Sequence, residues 1–254
     1  MKVPFFIYSK YLLGGIKKMM DWEKRTSLVV GDDGIEKLNN ASVIIFGVGG
    51  VGGFAAEAIA RAGVGNITIV DFDDVDITNI NRQIIALHST VGKMKVDVFK
   101  ERIKDINPNV NITAIAEKYT PENGEELLSS GEFDYAIDAI DMITSKIHLI
   151  ETCTKKGIKI ISSMGMGNKL DPTKIELTDI YKTSMCPLAR VMRRELKNRG
   201  IKKLKVVYST EKAIEPKEKI MNGNKMTAGS VSFVPSVAGL IMASAVINEL
   251  LEEK

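Results

Sequence analysis

Glycines stand at positions 47, 49, 50 and 52, directly after the apolar run Ser42–Phe46 and at the opening of a helix-forming stretch that reaches Ala62. Glycine lets a chain turn tightly and lets its backbone come close to a ligand. The helix behind such a turn offers free N–H groups and a partial positive charge, which suits a phosphate. Asp71 closes the next apolar run, about 20 residues on, where a carboxylate can accept hydrogen bonds from a ribose. Together these residues make a nucleotide site. The loop alone admits a nicotinamide dinucleotide as readily as ATP, and a glycine turn without a ligand is the plain alternative. No GxxxxGK[ST] occurs, so a P-loop enzyme is excluded.

Three further residues favour ATP. Arg82, in Thr78-Asn79-Ile80-Asn81-Arg82-Gln83, and Lys95, at the start of the next helical stretch, supply two cations. Asp141, in Asp138-Ala139-Ile140-Asp141, supplies an acid. Hydride transfer needs none of these. A carboxylate attacking an α-phosphate and expelling pyrophosphate needs all of them, because charge builds on the phosphates and donors placed there stabilise it. A carboxylate nearby can hold magnesium against the phosphate oxygens. Taken singly, Arg82 or Lys95 is a solvated charge and Asp141 a helix cap. Asp73, Asp74 and Asp76 cap or brace the turn after the second strand, with Asp73 beside the nucleotide site.

The elements that must position these groups follow from the pattern. Strands are expected at Ser42–Phe46, Ile67–Val70, Asn111–Ala116, Tyr135–Asp138 and Lys159–Ser163. Helices are expected at Gly50–Ala62, Lys93–Ile106, Pro121–Ser130 and Ile143–Lys156. Such alternation indicates an α/β fold, a Rossmann-like and mostly parallel sheet with helices on both faces. It weakens after Gly165, where Lys174–Asp179 and Leu204–Ser209 read as strands of a smaller mixed region, Pro187–Arg199 as a basic helix and Ile214–Thr227 as loop. The chain is read as one adenylating domain over residues 21–254, with a nucleotide-binding half (21–164) and a substrate-binding C-terminal half (165–254).

Composition is that of an ordinary globular protein: 254 residues, 44% hydrophobic, 26% charged, net charge +3. That mild basicity permits a polyanionic partner without requiring one. The only cysteines, Cys153 and Cys186, form no Cys-x-x-Cys pair, which argues against a disulfide scaffold or a four-cysteine zinc site. A reducing, cytoplasmic setting is expected. Residues 1–20 carry Lys2, Lys10, Lys17 and Lys18 and no acid. They are read as an extension, disordered or due to an upstream start, ahead of a partner-binding segment or a signal peptide. Val231–Ile247 is broken by Pro235 and Gly239 and reads as a buried C-terminal helix, not a membrane span.

GVGGVG, DFDDVDITNINRQ, VGKMK and AIDAID, in this order, resemble the bacterial ubiquitin-activating-enzyme-like adenylyltransferases. The resemblance implies ATP and magnesium as cofactors, with Asp71 holding the ribose, Asn79, Arg82 and Lys95 on the phosphates and Asp141 serving the metal. It also implies that Arg25, in Arg25-Thr26-Ser27-Leu28, reaches ATP from the other subunit of a homodimer.

Two branches of that family compete. One activates the C-terminus of ubiquitin-like sulfur carriers and usually carries two Cys-x-x-Cys pairs, absent here. The other uses ATP to close threonylcarbamoyladenosine in tRNA with loss of water. The second half, with DPTKIELTDIYKT, CPLARVMRREL, VVYSTE and GSVSFVPSVAGL, resembles the latter. The implied partner is tRNA carrying that nucleoside, with a sulfur-transfer partner left open. A basic cluster agrees: Lys182, Arg190, Arg193, Arg194, Lys197, Arg199, Lys202, Lys203 and Lys205 surround a single acid, Glu195. It reads as a track for an RNA backbone or as a solvated helix face. Rival classes are an NAD-dependent oxidoreductase and a nucleotide-binding scaffold without catalysis. No nucleophile is assigned. Cys186 is read as incidental, Cys153 as buried, and His88 and His148 as isolated.

Overall fold

The structure is a computed structural model that describes residues 20–218, 221–222 and 225–252. The expected N-terminal extension lies outside these residues apart from Met20. In chain order the elements are α1 (Lys24–Asn40), β1 (Ser42–Phe46), α2 (Gly52–Ala62), β2 (Asn66–Val70), α3 (Lys95–Ile106), β3 (Asn111–Ile115), α4 (Gly124–Ser129), β4 (Tyr135–Asp138), α5 (Ile143–Lys156), β5 (Lys159–Ser163), β6 (Ile175–Asp179), α6 (Pro187–Asn198), β7 (Lys205–Ser209), β8 (Met221–Asn222), β9 (Lys225–Met226) and α7 (Phe233–Glu252).

Seven strands form one sheet in the order β3-β2-β1-β4-β5-β7-β6. All neighbours are parallel except β6, which runs antiparallel to β7 with Ile175 opposite Ser209 and Asp179 opposite Lys205. The expected α/β architecture and its mixed C-terminal edge are therefore both present. The run Val43-Ile44-Ile45-Phe46 is buried on both faces because side chains alternate along a strand. Val43 and Ile45 join one cluster with Ile59 of α2, Phe99 of α3 and Met242 of α7. Ile44 and Phe46 join another with Leu127 of α4 and Leu149 and Cys153 of α5. Each of these large side chains contributes about 2 kcal/mol on burial. A third cluster pins α6, through Ala189, Met192 and Leu196, onto α5 and β7.

The structure departs from expectation in four places. Helix α1 lies where the sequence pattern indicated no element. Gly31 (φ +77°, ψ 169°) interrupts it, and Gly34 weakens it further. Packing compensates: Ile35 and Leu38 are buried, and Lys37 Nζ donates to the Leu251 carbonyl of α7 at 2.8 Å. Helix α2 begins at Gly52, since the first glycines form the turn itself. Helix α4 begins at Gly124, after a loop in which Asn123 Oδ1 accepts the Thr120 N–H at 2.8 Å. The stretch expected as loop before Thr227 contains the short hairpin β8–β9.

Helix α7 is long and apolar enough, by length and composition, to cross a bilayer. Here it serves as a core helix. It packs closely on α2, where a Cβ on Gly239 would stand 2.2 Å from the Val51 carbonyl oxygen.

Candidate active site

A cavity of about 950 Å³ opens at the carboxyl ends of β1, β2 and β4. Strand order reverses there, since β2 flanks β1 on one side and β4 on the other. Loops leaving the two sides part and leave a crevice, the usual ligand position in an open parallel sheet.

The glycine loop forms its floor. Gly47 has φ +81°, which only glycine adopts freely, and a Cβ there would meet the Ala139 carbonyl oxygen at 2.8 Å. Its N–H donates to the Val70 carbonyl at 2.8 Å and so ties the loop to β2. Gly47, Gly49 and Gly50 line the cavity; Gly52 does not. A Cβ on Gly52 would lie 1.8 Å from the Gly47 carbonyl oxygen. Gly52 therefore shapes the loop through its close packing and does not itself line the cavity.

Asp71 directly follows β2, buried at 8% exposure. One oxygen accepts the Val48 N–H at 2.8 Å and the other the Asp73 N–H at 3.0 Å. The carboxylate thus fixes the glycine loop, and each oxygen keeps a lone pair for a ribose hydroxyl. Lys95 opens α3, with its backbone N–H on the Asp73 carbonyl at 3.0 Å. Its ammonium is 2.8 Å from Asp73 and 4.0 Å from Asp71, with the lysine side chain only 5% exposed. A buried cation held at two points is poised to meet a phosphate with little reorganisation. Asn79 is buried in the short helical turn after β2, and its Oδ1 accepts the Asp76 N–H at 3.2 Å. Asp76 caps that turn by accepting the Thr78 N–H at 2.7 Å, and Asp74 makes a backbone bridge to Met94. Both are the bracing roles expected of them. Arg82 Nη1 donates to the Thr78 carbonyl and to Asn81 Oδ1, each at 2.8 Å.

Asp141 lines the cavity from the turn after β4. The cap position of α5 belongs to Met142, so Asp141 is not the helix cap. Its turn is held by a buried group of three. Lys146 Nζ lies 2.7 Å from Asp138 and 3.1 Å from Ser162 Oγ, and Ser162 donates to Asp138 at 2.6 Å. Asp138 also accepts the Ile140 N–H at 3.1 Å. These bonds offset much of the desolvation of a fully buried ion pair. They also fix the segment that carries Asp141.

Nine of the expected residues thus meet at one cavity: Gly47, Gly49, Gly50, Asp71, Asp73, Asn79, Arg82, Lys95 and Asp141. Arg25 does not. It stands exposed on the first turn of α1, outside the cavity of its own chain. Sequence reasoning assigned no role to Gln83, Tyr119, Met164–Gly167, Ala228–Ser230 or Pro235, all of which line the cavity. Gln83 sits within a motif already singled out, and its buried Oε1 has no partner among the described residues. Tyr119 packs edge-on to Phe46 and lies 3.0 Å from His148 Nδ1. Burial leaves its hydroxyl strongly resistant to ionisation. The other walls are mostly backbone and methionine, which carry no chemical signature. Both cysteines are free and buried. Burial pushes the Cys153 thiol up to about 12, and Cys186 caps α6 by accepting the Ala189 N–H at 3.5 Å.

Helix α6 borders the site through Leu188. It turns Ala189, Met192 and Leu196 inward and leaves Arg190, Arg194, Lys197 and Arg199 exposed. Arg194 and Arg199 pair with Glu195. Arg190, Lys197, Lys202 and Lys203 have no ion pair among the described residues.

Known proteins are similar to this chain over most of its length. The tRNA threonylcarbamoyladenosine dehydratase of Bacillus subtilis is 49% identical over 246 residues, 92% of this chain and 96% of that protein. The Escherichia coli dehydratase is 39% identical over 206 residues, 77% of this chain and 76% of that one. The solved structure of the Escherichia coli tRNA N6-threonylcarbamoyladenosine dehydratase, TcdA, in complex with ATP superposes with a TM-score of 0.83 at 35% identity, covering 92% of this chain and 97% of that one. The family model described as the ThiF family matches residues 23–254, the glycine loop, the cations and the cavity walls alike, and the chain belongs to that family.

Proposed function

We propose that the chain uses ATP to dehydrate threonylcarbamoyladenosine in tRNA. The observation that carries this reading is the extent of the likeness to proteins named for that reaction. It runs over 92% of the chain, through the substrate half as well as the nucleotide half. The basic face of α6 beside the cavity gives a polyanion a place to lie.

In the first step the threonyl carboxylate attacks the α-phosphate of ATP, the bond to the bridging oxygen breaks, and pyrophosphate leaves. Lys95 and Arg82 stabilise the charge that develops on the phosphates, Asn79 donates to them, and Asp71 holds the ribose. In the second step the carbamoyl group closes on the acyl carbonyl, the bond from that carbon to the AMP oxygen breaks, AMP departs with one former carboxylate oxygen, and the proton of the carbamoyl group is released to solvent. The attacking group belongs to the same nucleoside, so no protein nucleophile is needed. The buried positions of Cys153 and Cys186 accord with that.

Magnesium fits the donor set as a nucleotide-borne ion. Among the described residues no three His, Cys, Asp or Glu side chains cluster to cage a metal. Asp141 supplies one carboxylate at the cavity, the usual contribution when phosphates and water complete the shell. When bound, the ion would neutralise phosphate charge.

The active form is proposed to be a homodimer. Arg25 is exposed beside Leu28 and Val29, which are 87% and 85% exposed on the same turn of α1. Such apolar exposure next to a cation that misses its own cavity suits an interface that delivers the guanidinium to a second copy.

Pyrophosphate release from ATP tests the substrate. Modified tRNA is expected to stimulate it, whereas tRNA lacking the threonylcarbamoyl group and a carrier protein ending in Gly-Gly are not. Stimulation by the carrier alone would instead support the sulfur-carrier branch.

A further inference from the structure

Ala228, Gly229 and Ser230 cross the edge of the cavity just before α7, and two asparagines pin this short segment. At its middle Asn168 forms a reciprocal pair with Gly229. Its N–H donates to the Gly229 carbonyl at 2.8 Å, and its Oδ1 accepts the Gly229 N–H at 2.6 Å. Asn168 holds φ +58°, a left-handed conformation that asparagine tolerates better than most residues. At its C-terminal end the Ser230 carbonyl accepts from Asn81 Nδ2 at 2.9 Å. Asn81 Oδ1 in turn accepts from Arg82 Nη1 at 2.8 Å. One amide thus joins the segment to the guanidinium. Its donor and acceptor are both engaged, so flipping the amide would break both bonds.

We propose that Ala228–Ser230 is a strap that couples the substrate side of the cavity to the aim of Arg82, which makes Asn81 and Asn168 positioning residues. The inference rests on the reading of the cavity as an ATP site. Ala228 and Gly229 are exposed, so the strap keeps its place mainly through these polar bonds. It lies against Gly167, where a Cβ would stand 2.8 Å from the Ala228 methyl group, so a ligand pressing on this wall moves the strap. Displacing the strap pulls the Ser230 carbonyl from Asn81, rotates the amide and leaves Arg82 Nη1 held by the Thr78 carbonyl alone. With the strap in place, Arg82 is held through Nη1, which leaves its Nε and Nη2 donors for phosphate oxygens.

The test is a double-mutant cycle on the affinity for a non-hydrolysable ATP analogue, measured by calorimetry. Asn168→Gly keeps the backbone conformation and removes one strap bond. Asn81→Ala removes the link to Arg82. Each is expected to weaken nucleotide binding about fivefold, the scale of one hydrogen bond. The double variant is expected to bind no more weakly than Asn81→Ala, because both act through one strap. Asn168→Asp, which keeps an acceptor in a residue tolerant of that φ, should recover most of the affinity. Unchanged affinity in Asn168→Gly, or losses that multiply in the double variant, would overturn the proposal. Should the wild-type protein leave modified tRNA untouched while the cycle behaves as expected, the dehydratase reading falls and the strap stands.

Discussion

The two sides of the cavity are built by different means. On the phosphate side, charged and polar side chains project from strand ends and from the first turn of a helix. Asp71 directly follows β2, Lys95 opens α3, and Asp141 follows β4 over the buried Asp138–Lys146–Ser162 group. Asp71 and Lys95 are backed by bonds from neighbouring elements, and the segment carrying Asp141 by that buried group. On the substrate side, Met164–Gly167 and Ala228–Ser230 offer mostly backbone and apolar surface, held by two asparagines and bordered by a basic helix. The phosphate side is preorganised for charge that is the same in every turnover. Under the proposed function the opposite wall presents shape, which would suit one nucleoside within a large RNA. On that reading chemistry is fixed by few residues, and specificity is spread over many weak interactions.

The sharpest way to break this contrast is at Lys95. Lys95→Ala is expected to lower ATP-dependent turnover by at least about 100-fold, as removing a preorganised donor to developing charge does. Mixing that variant with Arg25→Ala should restore about a quarter of wild-type activity, since half the dimers would be mixed and each would hold one intact site. Recovery absent from a mixture shown by mass to contain mixed dimers would mean that Arg25 does not act across subunits.

A pair of glycines offers the next largest difference. In Gly52→Ala the methyl would lie 1.8 Å from a backbone oxygen of the loop, so the loop must move. ATP affinity should fall by about tenfold or more, and stability by about 1–3 kcal/mol. Gly165 has nothing within 4 Å of a Cβ, and Gly165→Ala should keep ATP affinity and stability. Equal sensitivity at both sites in thermal melts and nucleotide titrations would erase the distinction.

The smallest effect is expected on the basic face. Arg190→Ala together with Lys197→Ala should raise KM for tRNA severalfold and leave kcat unchanged. The slope of log affinity against log salt should drop by about one for each RNA phosphate that is no longer neutralised. An unchanged slope would return this face to ordinary solvation.

The same contrast explains what the sequence made legible. The glycine loop, Asp71 and the turn carrying Arg82 are short-range features, and their spacing survives without knowledge of the fold. Parallel strands such as Val43–Phe46 announce themselves because both faces are buried. The strap could not be read, because Asn81, Asn168 and Ser230 lie far apart in sequence and are brought together only by the path of the chain into α7. Tyr119 reaches the cavity from the middle of the segment between β3 and α4, with no motif around it. Helix α1 was hidden by Gly31 and Gly34, whose propensities are overridden by docking on α7. Gly52 shows a related limit: spacing shows that a glycine is required, and only the fold shows that a carbonyl oxygen of the loop stands where its Cβ would be.

The most direct test is to incubate the purified protein with ATP, magnesium and tRNA carrying threonylcarbamoyladenosine, then to digest the RNA and weigh its nucleosides. A nucleoside lighter by one water, formed with AMP in equal amount and absent with Lys95→Ala, is the expected result. An unchanged nucleoside with ATP bound would contradict the assignment of tRNA as the substrate.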